Sequence, residues 1–137
     1  MGFVKVSGLI GRSREELRQV TFLADSGSFY TLLGPSLARE LGISPTLTAQ
    51  VTLADSRSAE IGLAVAYLRL DDREGGVLVG VMDVPEPLLG VSALEALGFK
   101  VNPVEGVLEE TRSFGPAVLC ERRYSWQNLS ERSEVLT

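Results

Sequence analysis

The stretch Val20-Thr21-Phe22-Leu23-Ala24-Asp25-Ser26-Gly27-Ser28 restricts the fold more than any other part of the chain. Its lead-in is largely apolar and ends in a carboxylate, followed at once by a hydroxyl and a glycine. This order predicts a buried strand that delivers Asp25 into a tight turn at the edge of a core, with Gly27 free to take positive φ. A carboxyl half desolvated there, among backbone N–H groups, is open to pKa tuning for acid–base work. Asp-Ser-Gly is equally an ordinary turn signal, and alone it does no more than end a strand.

What the chain lacks narrows its chemistry. It has 137 residues and no histidine, which removes Ser-His-Asp and Cys-His catalysis and the commonest zinc ligand together. An enzyme of this composition must use carboxylates or a bound cofactor. The single cysteine, Cys120, excludes an intrachain disulfide and gives no sign of an oxidising compartment. A net charge of −5 with no basic stripe argues against nucleic acid as a partner. No apolar run reaches membrane-spanning length, and the first ten residues do not form a signal peptide. A cytoplasmic protein without a membrane partner is the expectation.

The length suits one domain with a real core. Phe3–Gly11 reads as a first strand and Gln19–Ala24 as a second, joined by a polar connection at Arg12–Arg18. Beyond the apolar run Phe29–Leu33, Pro35 starts a helix whose Leu37, Ala38 and Leu41 share a face and which Gly42 stops. Leu47, Ala49, Val51 and Leu53 alternate with polar neighbours, and a return strand runs from Glu60 to Leu70. Together they predict a long hairpin with a polar tip at Ala54-Asp55-Ser56-Arg57-Ser58. Asp71–Gly76 reads as a charged surface turn before a strand at Val77–Met82. Ser92-Ala93-Leu94-Glu95 has capping-box spacing, with Gly98 as terminator of a short helix. Phe99–Asn102 and Val107–Glu110 predict a closing hairpin. From residue 111 the pattern dissolves, leaving only the short apolar run Ala117–Cys120. The division is therefore a domain at 1–110 and an extension of unknown role at 111–137.

This order of elements resembles the retroviral-type (retropepsin-like) aspartic protease family in its small single-domain form. The resemblance is carried by Phe22–Ser28, Ser36–Ile43, Leu53–Ile61 and Leu88–Val107. It implies an all-β fold with one or two short helices, closed into a retropepsin-like acid-protease barrel. It also implies one catalytic Asp per chain, Asp25, at the axis of a homodimer, with an extended peptide or protein as substrate and no metal or cofactor. Two carboxyls within about 3 Å cannot both ionise, so such a pair shares a proton. The ionised oxygen then takes a proton from water while the protonated partner donates to the scissile carbonyl.

By the same resemblance, the Ser26 hydroxyl bonds across the axis, and Gly27 lets substrate backbone approach while its N–H bonds the carboxylate. Ser28, where viral members carry alanine, is expected to donate to Asp25 and favour an acidic optimum. Ala54, Asp55, Ser56 and Arg57 form the tip of a flap over substrate. Leu88, Leu89 and Gly90 pack behind the catalytic loop. Leu53–Ser58 nearly copies Leu23–Ser28, but Arg57 replaces the glycine, so Asp55 is expected to be a solvated turn carboxylate. Two other functions fit the residues: a catalytically silent domain of this fold for dimerisation or peptide binding, and a small β-domain in which Asp25 is structural.

Overall fold

The structure, a computed structural model, describes residues 3–53 and 55–111. Ala54 and residues 112–137, with the apolar run Ala117–Cys120, lie outside that range. The strands β1 (Phe3–Gly11) and β2 (Leu17–Asp25) form an antiparallel hairpin in which Phe3 faces Asp25 and Gly11 faces Leu17. After β2 come β3 (Thr31–Leu33), α1 (Pro35–Glu40), β4 (Leu47–Thr52), β5 (Ser58–Leu70) and β6 (Arg73–Val81). The chain ends in β7 (Leu88–Leu89), α2 (Val91–Leu97), β8 (Phe99–Asn102) and β9 (Val107–Glu110).

The main sheet has the order β1-β2-β7-β3-β6-β5-β4, and an extra pairing of β1 with β5 closes it. The result is a barrel with β4 outside the ring, in which β7 pairs with β2 only at Leu23 and Ala24 and β3 with β6 only at Val79, Gly80 and Val81. β8 and β9 form a separate two-stranded sheet. The barrel is filled by the inward side chains of alternating strands, among them Ile10, Phe22, Leu33, Leu68, Val79 and Leu89, each fully buried. Each such side chain contributes roughly 1.5–3 kcal/mol by leaving water. Along β2, Phe22 and Ala24 face this core while Thr21 is exposed, so Asp25 emerges at the rim.

Both helices end where glycine permits it. Gly42 and Gly98 adopt left-handed φ of 74° and 80°. At α2, Gly98 donates to the carbonyls of the last turn, as the terminator at that position requires. The expected capping box does not form: Gly90 is the N-cap, and the Ser92 hydroxyl donates instead to Phe29 O at 2.6 Å.

The connection at 71–76 is also tighter than its charge suggests. Leu70 already pairs with Arg73, so only Asp71 and Asp72 turn, with Asp71 at φ 56°. Arg73 is buried to 5% exposure. Its Nη1 donates to Leu97 O at 2.9 Å and Gly98 O at 3.0 Å, its Nη2 pairs with Glu110 at 3.2 Å, and its guanidinium lies over Phe99. A cation at the carbonyl end of α2 meets the negative end of the helix, and thus ties helix, barrel and closing hairpin together. The outer face of β5 leaves Val65 69% exposed opposite Leu78.

Candidate active site

Asp25 is mounted by the strands on either side of it. β7, only two residues long, is wedged between β2 and β3. It runs parallel to β2, with Ala24 beside Leu89, and antiparallel to β3, with Leu32 beside Leu88. Leu23 N donates to Pro87 O at 2.8 Å. The segment that follows each of these strands then crosses the other. Val91 N donates to Ser28 O at 2.7 Å and Ser92 N to Phe29 O at 2.9 Å, while buried Thr31 offers its Oγ1 to Gly90 N at 3.0 Å.

Gly90 is what lets the two segments approach. A Cβ built on it would sit 2.3 Å from Tyr30 O and 2.7 Å from Phe29 O, both backbone atoms. Leu88, Leu89 and Gly90 thus lie against the segment that follows the Asp25 turn.

At the turn itself, Gly27 N donates to Asp25 Oδ1 at 2.8 Å and Ser28 N to Asp25 O at 3.1 Å. The carboxyl is half-buried, and Ser26 and Gly27 are exposed. Two expectations about this loop are corrected. Gly27 is not among the residues with positive φ; a side chain there would instead crowd Asp25 Oδ1, which lies 3.3 Å from the position of its missing Cβ. Ser28 does not donate to Asp25. Its one hydroxyl proton goes to Tyr30 O at 2.8 Å, a bond that closes its own loop.

The hairpin of β4 and β5 overhangs this loop. Between them lies a cleft of about 360 Å³, walled on one side by Gly27–Tyr30 and on the other by Gln50–Leu53 and Ile61. At the hairpin tip, Leu53 N donates to Arg57 O at 2.7 Å, and Ser56 takes a left-handed φ of 72°. Asp55 is exposed and held by its own neighbour: Arg57 N reaches Oδ1 at 3.1 Å and Arg57 Nε reaches Oδ2 at 2.7 Å. The backbone N–H of Arg57, then its guanidinium, hold this carboxyl below its ordinary pKa. The near-copy of the Asp25 turn is therefore an Asx-type turn closed by its own arginine. Arg57 brings a charge where Gly27 leaves Asp25 open.

The sequence missed Thr31 and Ser92 as parts of the mount. Thr31 has no motif around it, and Ser92 sits in capping-box spacing that points to a different partner; each matters only because the crossing of two distant segments brings a carbonyl or N–H within its reach.

A family model described as aspartyl protease matches residues 4–93, spanning β1 to the start of α2. The chain belongs to the aspartyl protease family. A solved structure of EIAV protease complexed with the inhibitor HBY-793 has the same fold, with a TM-score of 0.54 at 18% identity over 69% of this chain and 86% of that one. No curated protein matches the sequence. This aspartyl protease chain is thus retropepsin-like in its barrel, and the Asp25 turn falls inside the matched region.

Proposed function

We propose that the protein is an aspartic endopeptidase in which Asp25 and Asp25 of the partner subunit activate one water at the axis of a homodimer. The observation that carries this is the contrast between the two Asp-Ser turns. Asp25 stands half-buried at the end of β2, two residues before Gly27 of the cleft wall, with Oδ1 held by Gly27 N, and Asp55 is exposed and ion-paired. Of the two Asp-Ser turns, one therefore offers a suitable acid, whereas water activation by carboxylates alone needs a base and an acid side by side. A second copy is the simplest source, and a two-fold axis is the commonest oligomer symmetry.

At the junction the paired carboxyls share a proton, and their apparent pKa values belong to the pair. The ionised member takes a proton from the lytic water as it attacks the peptide carbonyl, while the protonated member donates to the carbonyl oxygen. The resulting tetrahedral diol then breaks its C–N bond as the nitrogen is protonated. Gly27 N–H holds one carboxyl oxygen in place throughout, and the Ser26 hydroxyl, exposed beside Asp25, bonds across the axis. The β4–β5 hairpin closes over the bound strand and excludes water.

The test is peptide-library cleavage followed against pH, with the molecular mass in solution measured alongside. Wild type should cleave with a bell-shaped profile, and Asp25→Asn should remain folded and dimeric while losing cleavage by several orders of magnitude. Cleavage that survives Asp25→Asn, or a fully active monomer, refutes the proposal.

A further inference from the structure

We propose that the C-terminal segment Ala117-Val118-Leu119-Cys120 packs against the outer face of the barrel, over Val65 and Leu78. Such packing does not require peptidase activity, and it makes the extension a part of the folded domain.

The outer face carries an apolar strip with no cover among the described residues. Side chains opposite one another in an antiparallel pair share a face, as do residues two apart along a strand. Val65 lies opposite Leu78, and Leu63, two residues before Val65, lies opposite Leu47. Leu47, Val65 and Leu78 are therefore neighbours on one surface, and they are three of the six large apolar side chains exposed among the described residues. None of the three lines the cleft beside the Asp25 turn. Toward the turn between β5 and β6 the strip stays open. Gly76 lies opposite Tyr67 there, and a Cβ on it would meet nothing nearer than Val65 Cγ1, at 3.7 Å. Neighbouring apolar side chains left in water on one face mark a contact surface.

Where the chain leaves the described residues points to the occupant. Glu110 pairs with Arg73 at 3.2 Å and Thr111 N donates to Gly98 O at 2.8 Å, so the chain departs beside the turn that joins β5 to β6. Leu78 is five residues along β6 from Arg73, about 17 Å at the rise of a strand. An extended chain covers about 20 Å from Thr111 to Ala117 and about 30 Å to Cys120, enough to round the turn and reach the strip. Ala117–Cys120 is also the longest apolar run beyond residue 111.

Charge favours the same path. Asp71 and Asp72 form that turn, exposed and without an ion pair among the described residues, and the first residue to pass them is Arg112. A segment tethered this close is present at the strip at an effective concentration on the order of millimolar, which a separate partner must exceed.

Cys120 is the single cysteine, so a nitroxide attached to it marks this segment in the full-length chain without any engineered residue. Spin-labelled, isotope-labelled protein is diluted into excess unlabelled chain, so that only broadening within one chain is read. The amide signals of Val65, Tyr67 and Leu78 should lose most of their intensity and regain it when the nitroxide is reduced. Those of Ser26, Leu94 and Val101, in a groove beside the Asp25 turn, should keep theirs. Broadening confined to other sites, or none, overturns the proposal. Broadening of β5 and β6 only when nitroxide and isotope sit on different chains also overturns it, because a second copy is then the occupant.

Stability gives an independent reading. Substitutions at exposed positions that touch nothing are nearly silent. The double variants Val65→Thr/Leu78→Thr and Val118→Thr/Leu119→Thr should each instead melt about 5 °C below wild type. Combined, the four changes should melt no lower than the less stable pair, because both pairs remove the same contact. Additive losses, or no loss in either pair, overturn the proposal.

Discussion

Replacing Gly90 with alanine puts one methyl group where two chain segments cross. The added Cβ would lie 2.3 Å from Tyr30 O and 2.4 Å from Tyr30 C, against the 3.4–4 Å of ordinary contact. Backbone atoms cannot rotate away as a side chain can, so the segments must part by about 1 Å, and overpacking of this kind costs about 3 kcal/mol. The shift falls on Phe29 and Tyr30, immediately after the Asp25 turn. It weakens the bonds from Ser92 N and Gly90 N that hold the crossing. A displacement of about 1 Å at a catalytic group is worth about a hundredfold in rate. Gly90→Ala should therefore melt about 10 °C below wild type and cleave a reference peptide about a hundredfold more slowly. Gly75→Ala is the control, because its Cβ would meet only Leu97 Cδ2, at 3.7 Å, and its stability should move by no more than about 0.5 kcal/mol. Thermal unfolding and steady-state cleavage read both variants. Wild-type stability and rate in Gly90→Ala would refute the claim that the crossing positions the acid.

Thr31→Val removes the buried acceptor of Gly90 N while keeping the shape, so an unpaired N–H should cost about 1–3 kcal/mol in urea unfolding. Arg73→Met should lose about 3 kcal/mol, because it strips two carbonyls at the end of α2 of their donor and Glu110 of its partner. Asp55, with its pKa lowered first by Arg57 N–H and then by the Arg57 side chain, favours the closed tip above the ordinary Asp range and loses that effect as pH falls through its lowered value. Carboxyl chemical shifts should place the Asp55 midpoint below that of an unfolded-chain Asp, and Arg57→Ala should move it up.

The sequence makes most of the barrel legible, because strand ends coincide with residues that stop a strand for local reasons. β1 spans Phe3–Gly11 as read, Gly42 and Gly98 end the helices, and the β8–β9 hairpin turns where Pro103 and Gly106 allow. What escapes is set by contacts between distant segments. The charge run at 71–76 reads as solvated, but Arg73 meets helix-end carbonyls 24 and 25 residues away. Ser92 has the spacing of a helix cap, yet a carbonyl 63 residues earlier competes for its proton and wins. Ser28 likewise turns to Tyr30 rather than to Asp25. A single hydroxyl proton has one destination, and spacing along the chain cannot rank acceptors that only folding brings near.

β5 belongs to two bodies at once. From Gly62 onward it is laced to β6, while Ser58–Ile61 have only β4 beside them. At about 3.3 Å per residue the unsupported length is about 13 Å, a short cantilever clamped at Gly62. In the proposed peptidase, changes in Gln50–Thr52 or Ser58–Glu60 therefore fall on the overhang alone, with the clamp at Gly62 and the β5–β6 wall behind it left as they are.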